Sequence, residues 1–294
     1  MRRFVNLPKY DIVRRIGQGA GAHIYEARDR TTRETIAVKH VTRKGPEHDK
    51  FIAQAEIEFE VGHSLNHPVL RRFLELIRIR RWLKTRELFL LMEYVEGDTL
   101  ESRYKGKKPP EDLRPTVATF MQIAEGLNAM HKASYVHADI KPNNILLTRD
   151  GVKLIDFGQS CPIGHRKERV QGTPDFIAPE QVNRGPLDAR TDVFNFGATM
   201  YWVVTGKWFR TMLNRGATAT KKIEIDARSG SEPPDEINPA VSVPLSRLIL
   251  DCCEPRPSDR PADMKQVLSR LELILHLLGK GDPAASSSSD ASGL

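Results

Sequence analysis

The chain has 294 residues, of which 39% are apolar and 28% charged, and its formal net charge is +7. This length suits one large domain or two modest domains with a sizeable core. The only cysteines, Cys161, Cys252 and Cys253, lack metal-ligand spacing, which excludes a cysteine-based metal site and indicates structural thiols in a reducing compartment. The start lacks the apolar core of a signal peptide, and no stretch approaches the ~18 apolar residues of a membrane span, so we expect a cytoplasmic protein.

The first third of the sequence has mainly the pattern of β-strands. Short β-prone runs at residues 12–16, 23–28 and 35–41 are separated by a glycine-rich turn and a polar turn. A helical segment at residues 49–65 follows, and it ends at an Asn-His-Pro sequence. Two more strands are predicted at residues 73–82 and 87–94.

After residue 97 the sequence is chiefly helical, with predicted helices that include residues 113–132, 191–205 and 261–278. A block of strands followed by a block of helices is typical of an α+β protein with two lobes. We place the lobes at residues 10–95 and 96–278. The remaining residues, 279–294, are rich in serine and almost without apolar side chains, which predicts a disordered tail.

The first motif is the run Gly17-Gln18-Gly19-Ala20-Gly21-Ala22 between two predicted strands. Small residues let backbone N–H groups approach phosphate oxygens closely. A dinucleotide-binding fingerprint would open a helix, whereas residues 23–27 have the pattern of a strand. The run therefore predicts a hairpin turn that lies over a nucleotide.

The second motif is Ala37-Val38-Lys39 on the next predicted strand. In the following helical segment, Glu58 lies within the stripe of apolar and small residues, unlike its acidic neighbours. A carboxylate on a buried face requires a partner. We expect Lys39 to be that partner and to reach the phosphates of ATP as well.

The most specific motif is His137-Ala138-Asp139-Ile140-Lys141-Pro142-Asn143-Asn144, followed by Asp156-Phe157-Gly158. Phosphoryl transfer needs a carboxylate near the attacking hydroxyl group and oxygen ligands for magnesium. Asp139 suits the first requirement, and Asn144 and Asp156 suit the second. Each residue alone is typical of a turn or a cap, but their combination in this order is highly specific.

In these motifs the chain resembles the eukaryotic-type (Hanks-type) protein kinases, most closely the bacterial serine/threonine branch. The resemblance covers about residues 10–278 and is strengthened by residues 172–180, which end in Ala-Pro-Glu, and by residues 192–197. It implies a bilobal protein kinase fold, with a small, mainly β N-lobe that carries one regulatory helix and a larger, mainly helical C-lobe. It also implies transfer of the γ-phosphoryl group of ATP, with Mg²⁺ or Mn²⁺, to serine or threonine hydroxyls of a protein substrate.

The resemblance further implies a role for each site residue. Asp139 accepts the proton of the substrate hydroxyl and Lys141 stabilises the transferring phosphoryl group, while Lys39, paired with Glu58, holds the α- and β-phosphates. Asn144 and Asp156 hold the metal ion. In the nucleotide-binding set, Met92 is the gatekeeper and residues 93–95 form the adenine-reading hinge. That set comprises Gly17, Gly19, Ala22, Ile24, Ala37, Lys39, Met92, Glu93, Val95 and Leu146.

Further roles concern the C-lobe and substrate specificity. Glu180 and Arg260 are similar to a buried ion pair under the activation segment, and Asp192 is expected to fix the backbone of the catalytic loop. Lys141 and Thr173 resemble the serine/threonine version of the substrate site, in which Thr173 contacts both Asp139 and Lys141.

The sequence departs from the family pattern at three positions, of which Ala22, a small residue in place of the third glycine, is the mildest. Ala138 replaces the arginine that receives a phosphorylated activation loop, and the only hydroxyl residues between Gly158 and Ala178 are Ser160 and Thr173. We therefore predict activity that does not depend on activation-loop phosphorylation. Gly62 lies where the family has a bulky residue, and Phe73 is a candidate to fill the gap.

Two alternative functions are less consistent with the motifs. A pseudokinase would lack some of the residues that carry catalysis, but all of them are present. A small-molecule kinase should lack the segment at residues 172–180. Autophosphorylation of the serine-rich tail remains open, as does the function of a basic segment, which is either a solvated face or a docking surface for an acidic protein, a lipid or, less readily, a nucleic acid. This segment comprises Trp82 and the surrounding Arg71, Arg72, Arg78, Arg80, Arg81, Lys84 and Arg86.

Overall fold

The computed structural model of the chain describes residues 7–19, 21–82, 84–213 and 231–280. The N-terminal part consists of five strands and one helix. They are β1 (Tyr10–Gly19), β2 (Ala22–Asp29), β3 (Thr35–Thr42), α1 (Asp49–Ser64), β4 (Phe73–Arg81) and β5 (Lys84–Glu93). The strands form one antiparallel sheet in the order β1-β2-β3-β5-β4, and α1 connects the interior strand β3 to the edge strand β4.

The two faces of this sheet bury different sets of residues, because side chains alternate along each strand. One face carries Ala37 and Met92, which lie opposite each other and belong to the main hydrophobic core. The other face carries Ile36 and Val38, which belong to a smaller cluster at the outer side of the sheet. The face that contains Ala37 is therefore the one directed towards the rest of the protein.

The C-terminal part is mainly helical, and three short strand pairings accompany the helices. Its helices are α2 (Leu100–Tyr104), α3 (Arg114–Lys132), α4 (Pro179–Val182), α5 (Ala189–Thr205), α6 (Pro234–Ile237), α7 (Val243–Cys252) and α8 (Met264–Lys280). Its strands are β6 (Asp98–Thr99), β7 (Tyr135–Val136), β8 (Ile145–Thr148), β9 (Gly151–Leu154) and β10 (Cys161–Pro162). Helix α5 is buried from Thr191 to Thr205 and forms the centre of this part of the protein.

The predicted elements are present, and their bounds differ by a few residues. The α+β arrangement of a strand block and a helix block is confirmed. Helix α8 runs to Lys280, two residues into the predicted tail, so the disorder predicted there is wrong for Gly279 and Lys280. Residues 281–294 lie outside the described residues. Within the described part of the chain, no helix is long and apolar enough to cross a membrane.

Gly62 on α1 makes room for Phe73 on β4. A Cβ atom on Gly62 would lie 2.1 Å from a ring atom of Phe73, so no larger residue fits without displacing that ring. The ring of Phe73 lies 5.5 Å from that of Phe157, which in turn lies 5.6 Å from His137. Phe73 therefore fills the gap as predicted and connects α1 to the segments that contain Phe157 and His137.

We expect Gly62→Leu to lower the free energy of unfolding by about 2 kcal/mol, because it overpacks this contact. The double variant Gly62→Leu/Phe73→Ala keeps the total side-chain volume nearly constant and should lose less than the sum of the two single changes. Urea unfolding measures all three values. Gly279→Leu, at an exposed helical position with open space around it, serves as the matched control. A Gly62→Leu protein as stable as the wild type would contradict the prediction.

Candidate active site

Apart from the hinge residue Glu93, the nucleotide-binding residues predicted on the sheet share one face. Residues directly opposite each other in an antiparallel pair point to the same side, and Ile24 pairs with Lys39 while Ala37 pairs with Met92. Gly17 pairs with Ile24 on the same side. Leu146 on β8 contributes a buried side chain from the C-terminal part. This face of the sheet is suited to pack against one side of a planar ring such as adenine.

The glycine-rich motif forms a tighter hairpin than the sequence predicts. Strand β1 continues through Gly17 and Gly19, and Gly19 pairs directly with Ala22, the first residue of β2. Gly21 has φ 73°, a left-handed conformation that glycine adopts at low cost. A Cβ atom there would also lie 2.3 Å from the ring of Phe51 on α1. Glycine is therefore required at this turn for conformation and for space.

Three charged side chains of alternating sign, Glu58, Lys39 and Asp156, lie next to one another in the site. The Nζ atom of Lys39 lies 2.6 Å from Oε2 of Glu58, as predicted, and 3.8 Å from Oδ1 of Asp156. Burial would lower the pKa of Lys39, but the two carboxylates raise it above its usual value, so the ammonium stays charged. Burial raises the pKa of Glu58, and Lys39 offsets part of that effect. The pair fixes the ammonium between α1 and the catalytic motifs.

Asp139 is the centre of a hydrogen-bond network. Its Oδ2 accepts hydrogen bonds from Nζ of Lys141 at 2.7 Å and from Nδ2 of Asn144 at 3.3 Å, and its Oδ1 accepts one from Oγ1 of Thr173 at 2.9 Å. The Lys141 ammonium also donates to Thr173 at 2.8 Å, which confirms the predicted contacts of Thr173. A carboxylate oxygen accepts about two hydrogen bonds, so Oδ1 retains capacity for a further donor.

Asn144 and Asp156 present the oxygen donors that a hard divalent cation requires. The amide nitrogen of Asn144 donates to the backbone oxygen of Asp139 at 2.9 Å, which orients the amide. Asp156 has φ 70°, and its side chain is 49% exposed, with one oxygen accepting from the Gly158 N–H. The Lys39 ammonium lowers the pKa of Asp156, so this carboxylate is ionised. The two residues fit a metal ion that is shared with a phosphate ligand.

The backbone of the catalytic loop is fixed by Asp192 on α5, as predicted. Its fully buried carboxylate accepts hydrogen bonds from the backbone N–H groups of His137 and Ala138 at 2.9 and 2.8 Å. His131 on α3 lies 2.7 Å from the same carboxylate. Ala138 has φ 61°, and these bonds hold it in that unfavourable conformation. Asp139 is thereby placed by a rigid support.

The segment that follows the site is held by Gln181 and by an ion pair. The Gln181 side chain donates to the backbone oxygen of Ala138 at 2.7 Å and accepts from Asn195 and from the Ala178 N–H, both at 3.0 Å. Sequence reasoning missed this residue, because a glutamine beside Ala-Pro-Glu gives no local signal. The predicted ion pair of Glu180 and Arg260 is present, and it is bidentate.

Arg71 is buried, although the basic segment to which it belongs was predicted to be a solvated face or a docking surface. It does not belong to a solvated face, since only 8% of it is exposed. Its guanidinium lies 3.5 Å from Sδ of Met92, the predicted gatekeeper, and its Nε has no hydrogen-bond partner among the described residues. Burial lowers the pKa of Arg71, and Glu58, Glu93 and Asp156 oppose that effect. The backbone N–H of Arg71 donates to the backbone oxygen of Leu154 on β9, which is far away in the sequence.

The predicted hinge connects the two parts of the protein. The Glu93 carboxylate accepts from the Arg72 N–H at 3.1 Å and pairs with Lys153 on β9 at 3.0 Å. Glu93 and Val95 also line an open cavity of about 1080 Å³ between the hinge and the turn after β8. This cavity contains none of the residues predicted to be catalytic, and it does not include Ala37 or Lys39.

Comparisons with known proteins agree with this site. Residues 10–271 match the model of the protein kinase domain family. Probable serine/threonine-protein kinases of Clostridium acetobutylicum and Clostridium perfringens are each 29% identical, over 90% and 96% of this chain. The serine/threonine-protein kinase PknL of Mycobacterium tuberculosis is 28% identical over 90% of it.

The chain spans 40% of the length of each clostridial relative and 65% of the mycobacterial one. The family match, by contrast, covers most of the chain, and it includes every motif described above. The resemblance to Hanks-type kinases of the bacterial branch and the bilobal α+β kinase fold are therefore confirmed. The chain belongs to the protein kinase domain family.

Proposed function

We propose that this protein is an active serine/threonine protein kinase that transfers the γ-phosphoryl group of ATP to a protein hydroxyl group. The observation that carries the proposal is the network of Asp139, Lys141 and Thr173, which leaves one oxygen of a fixed carboxylate available to a substrate hydroxyl. The names of the relatives support serine and threonine as acceptors. We propose Mg²⁺ as the metal ion, the cytoplasm as the place of action, and protein substrates that include the chain itself.

Each residue of the site has a separate role in phosphoryl transfer. Asp139 orients the substrate hydroxyl through Oδ1 and accepts its proton as the oxygen attacks. The Lys141 ammonium, 2.7 Å from Asp139, supplies positive charge to the transferring group. Lys39 holds the phosphates because Glu58 fixes its ammonium. Asn144 and Asp156 would hold the metal ion, which neutralises phosphate charge when bound.

Phosphate transfer from labelled ATP tests the proposal. The protein is incubated with ATP and Mg²⁺, Mn²⁺ or a chelator, alone and with a generic basic protein, and the product is hydrolysed for phosphoamino-acid analysis. We expect phosphoserine or phosphothreonine with either metal ion and none with the chelator. A folded protein that binds ATP but transfers no phosphate would favour the pseudokinase alternative, and phosphotyrosine would contradict the proposed specificity.

We expect phosphatase treatment to leave the kinase activity unchanged. Ser160 is fully buried and donates to the His137 carbonyl oxygen, while the Thr173 hydroxyl is bound to Asp139 and Lys141. Neither is free to be phosphorylated, and Gln181 holds the activation segment without a phosphate group. The measurement compares initial rates before and after phosphatase treatment, with Ser160→Ala as a second readout. Loss of activity that returns with a phosphate between Ser160 and Thr173 would refute the prediction.

A further inference from the structure

The turn between β4 and β5 exposes a tryptophan that the catalytic site does not use. Trp82 is 91% exposed and has φ 58°, the left-handed conformation that bulky residues rarely adopt. Burial in the core does not explain this residue, and backbone preference disfavours it. A large aromatic side chain kept in water at a strained turn is a candidate for binding something outside the chain.

Cations surround this side chain. We define the tip patch as Arg43, Arg81, Trp82, Lys84 and Arg86, which line an open cavity of about 440 Å³. Arg43 forms an ion pair with Asp49, but no ion pair of Arg81, Lys84 or Arg86 occurs within the described residues. These three side chains are exposed. The carboxylate of Asp49, whose charge also interacts with Lys84, is already paired with Arg43, so the patch keeps a net positive charge.

The hairpin geometry concentrates the charge. Arg81 pairs directly with Lys84, and the register shifts so that Arg86 has no residue opposite it on β4. Such a bulge increases the local twist of the hairpin. Like charges directly opposite each other destabilise a hairpin. Their presence at this position therefore favours a role in recognition over a role in folding.

We propose that the tip patch docks onto a membrane surface that contains anionic phospholipids. Tryptophan is enriched at the membrane–water interface, where its ring lies at the depth of the headgroups. Clusters of arginine and lysine are attracted to anionic headgroups, and the cavity beside Trp82 has room for headgroup phosphates between the cations. The patch combines both features on a protruding turn, which suits a flat surface.

A nucleic acid or a second copy of the chain is a less suitable ligand for the tip patch. A single-stranded nucleic acid would use several aromatic platforms for successive bases, whereas Trp82 is the one aromatic side chain in this patch. A second copy of the chain would bring like charges together. Strand β5 runs about 30 Å from Lys84 to the hinge residue Glu93, so a docked tip leaves the nucleotide site open.

Vesicle sedimentation with the full chain tests this proposal. Vesicles of phosphatidylcholine alone are compared with vesicles that also contain phosphatidylserine. We expect binding only to the anionic vesicles, loss of that binding at ~1 M salt, and a blue shift of tryptophan fluorescence on binding. Trp82→Ala should remove the blue shift. Arg81→Glu/Lys84→Glu should weaken binding at least tenfold, since each cation contributes about fivefold.

Controls separate lipid docking from other causes. Lys107→Glu/Lys108→Glu makes the same change in net charge on exposed residues of the C-terminal part and should bind vesicles like the wild type. All variants should keep the wild-type unfolding midpoint and phosphotransfer rate. Equal binding to both vesicle types, or binding unaffected by Arg81→Glu/Lys84→Glu, would overturn the proposal. So would binding to poly-glutamate or DNA without binding to vesicles, or a dimer in solution that Trp82→Ala dissociates.

Discussion

Replacement of Asp139 by Asn is expected to lower the phosphotransfer rate about 10³-fold. The amide has nearly the shape of the carboxylate, but it cannot accept the proton of the substrate hydroxyl. Its NH₂ group would also face donors, because Lys141, Asn144 and Thr173 all donate to the native carboxylate. The loss should appear in kcat, measured under saturating ATP and substrate.

Nucleotide affinity should change little in the same variant. Lys39, Glu58 and Asp156 keep their mutual contacts, and none of them hydrogen-bonds to Asp139 in the described structure. A fluorescent nucleotide titration checks this point and shows that the site is folded. Asp150→Asn, in the exposed turn after β8, is the matched control and should retain full activity. A fully active Asp139→Asn protein would remove Asp139 from the proposed mechanism.

The sequence predicts the charged residues of this site better than it predicts the residues that hold them in position. The ion pair of Lys39 and Glu58 follows from one charged residue in an apolar stripe, and the structure contains it. Gln181 and Arg71 gave no such signal. Their roles depend on contacts with Ala138 and Leu154, which are far away in the sequence, so no local pattern records them.

The strand bounds show a similar limit. Strand β5 begins at Lys84, three residues before the predicted start, because hairpin hydrogen bonds continue through charged residues. The change from charged to apolar residues in the sequence shows where a strand becomes buried, and it does not show where the strand begins. The hairpin of the glycine-rich run was predicted, but its strands extend further than expected, because their pairing continues to Gly19 and Ala22.

Substitution of Glu180 by Gln should lower the free energy of unfolding by about 3 kcal/mol. Arg260 has a side chain with 0% exposure and donates to both carboxylate oxygens of Glu180, at 2.8 and 2.9 Å. Its guanidinium also lies 4.9 Å from the ring of Phe194 and donates to the backbone oxygen of Arg190. A glutamine removes the negative charge and leaves a buried cation uncompensated.

A second variant separates the lost charge from the lost contact. Glu180→Leu/Arg260→Met removes both charges and fills the space with apolar side chains, so it should be less destabilised than the sum of the single changes. Lys207 and Glu232 form an exposed pair with 55% and 64% of their side chains accessible, and Glu232→Gln should cost much less stability than Glu180→Gln. Urea unfolding of these variants measures the difference. Equal costs at the buried and exposed pairs would mean that burial does not determine the strength of the Glu180–Arg260 contact.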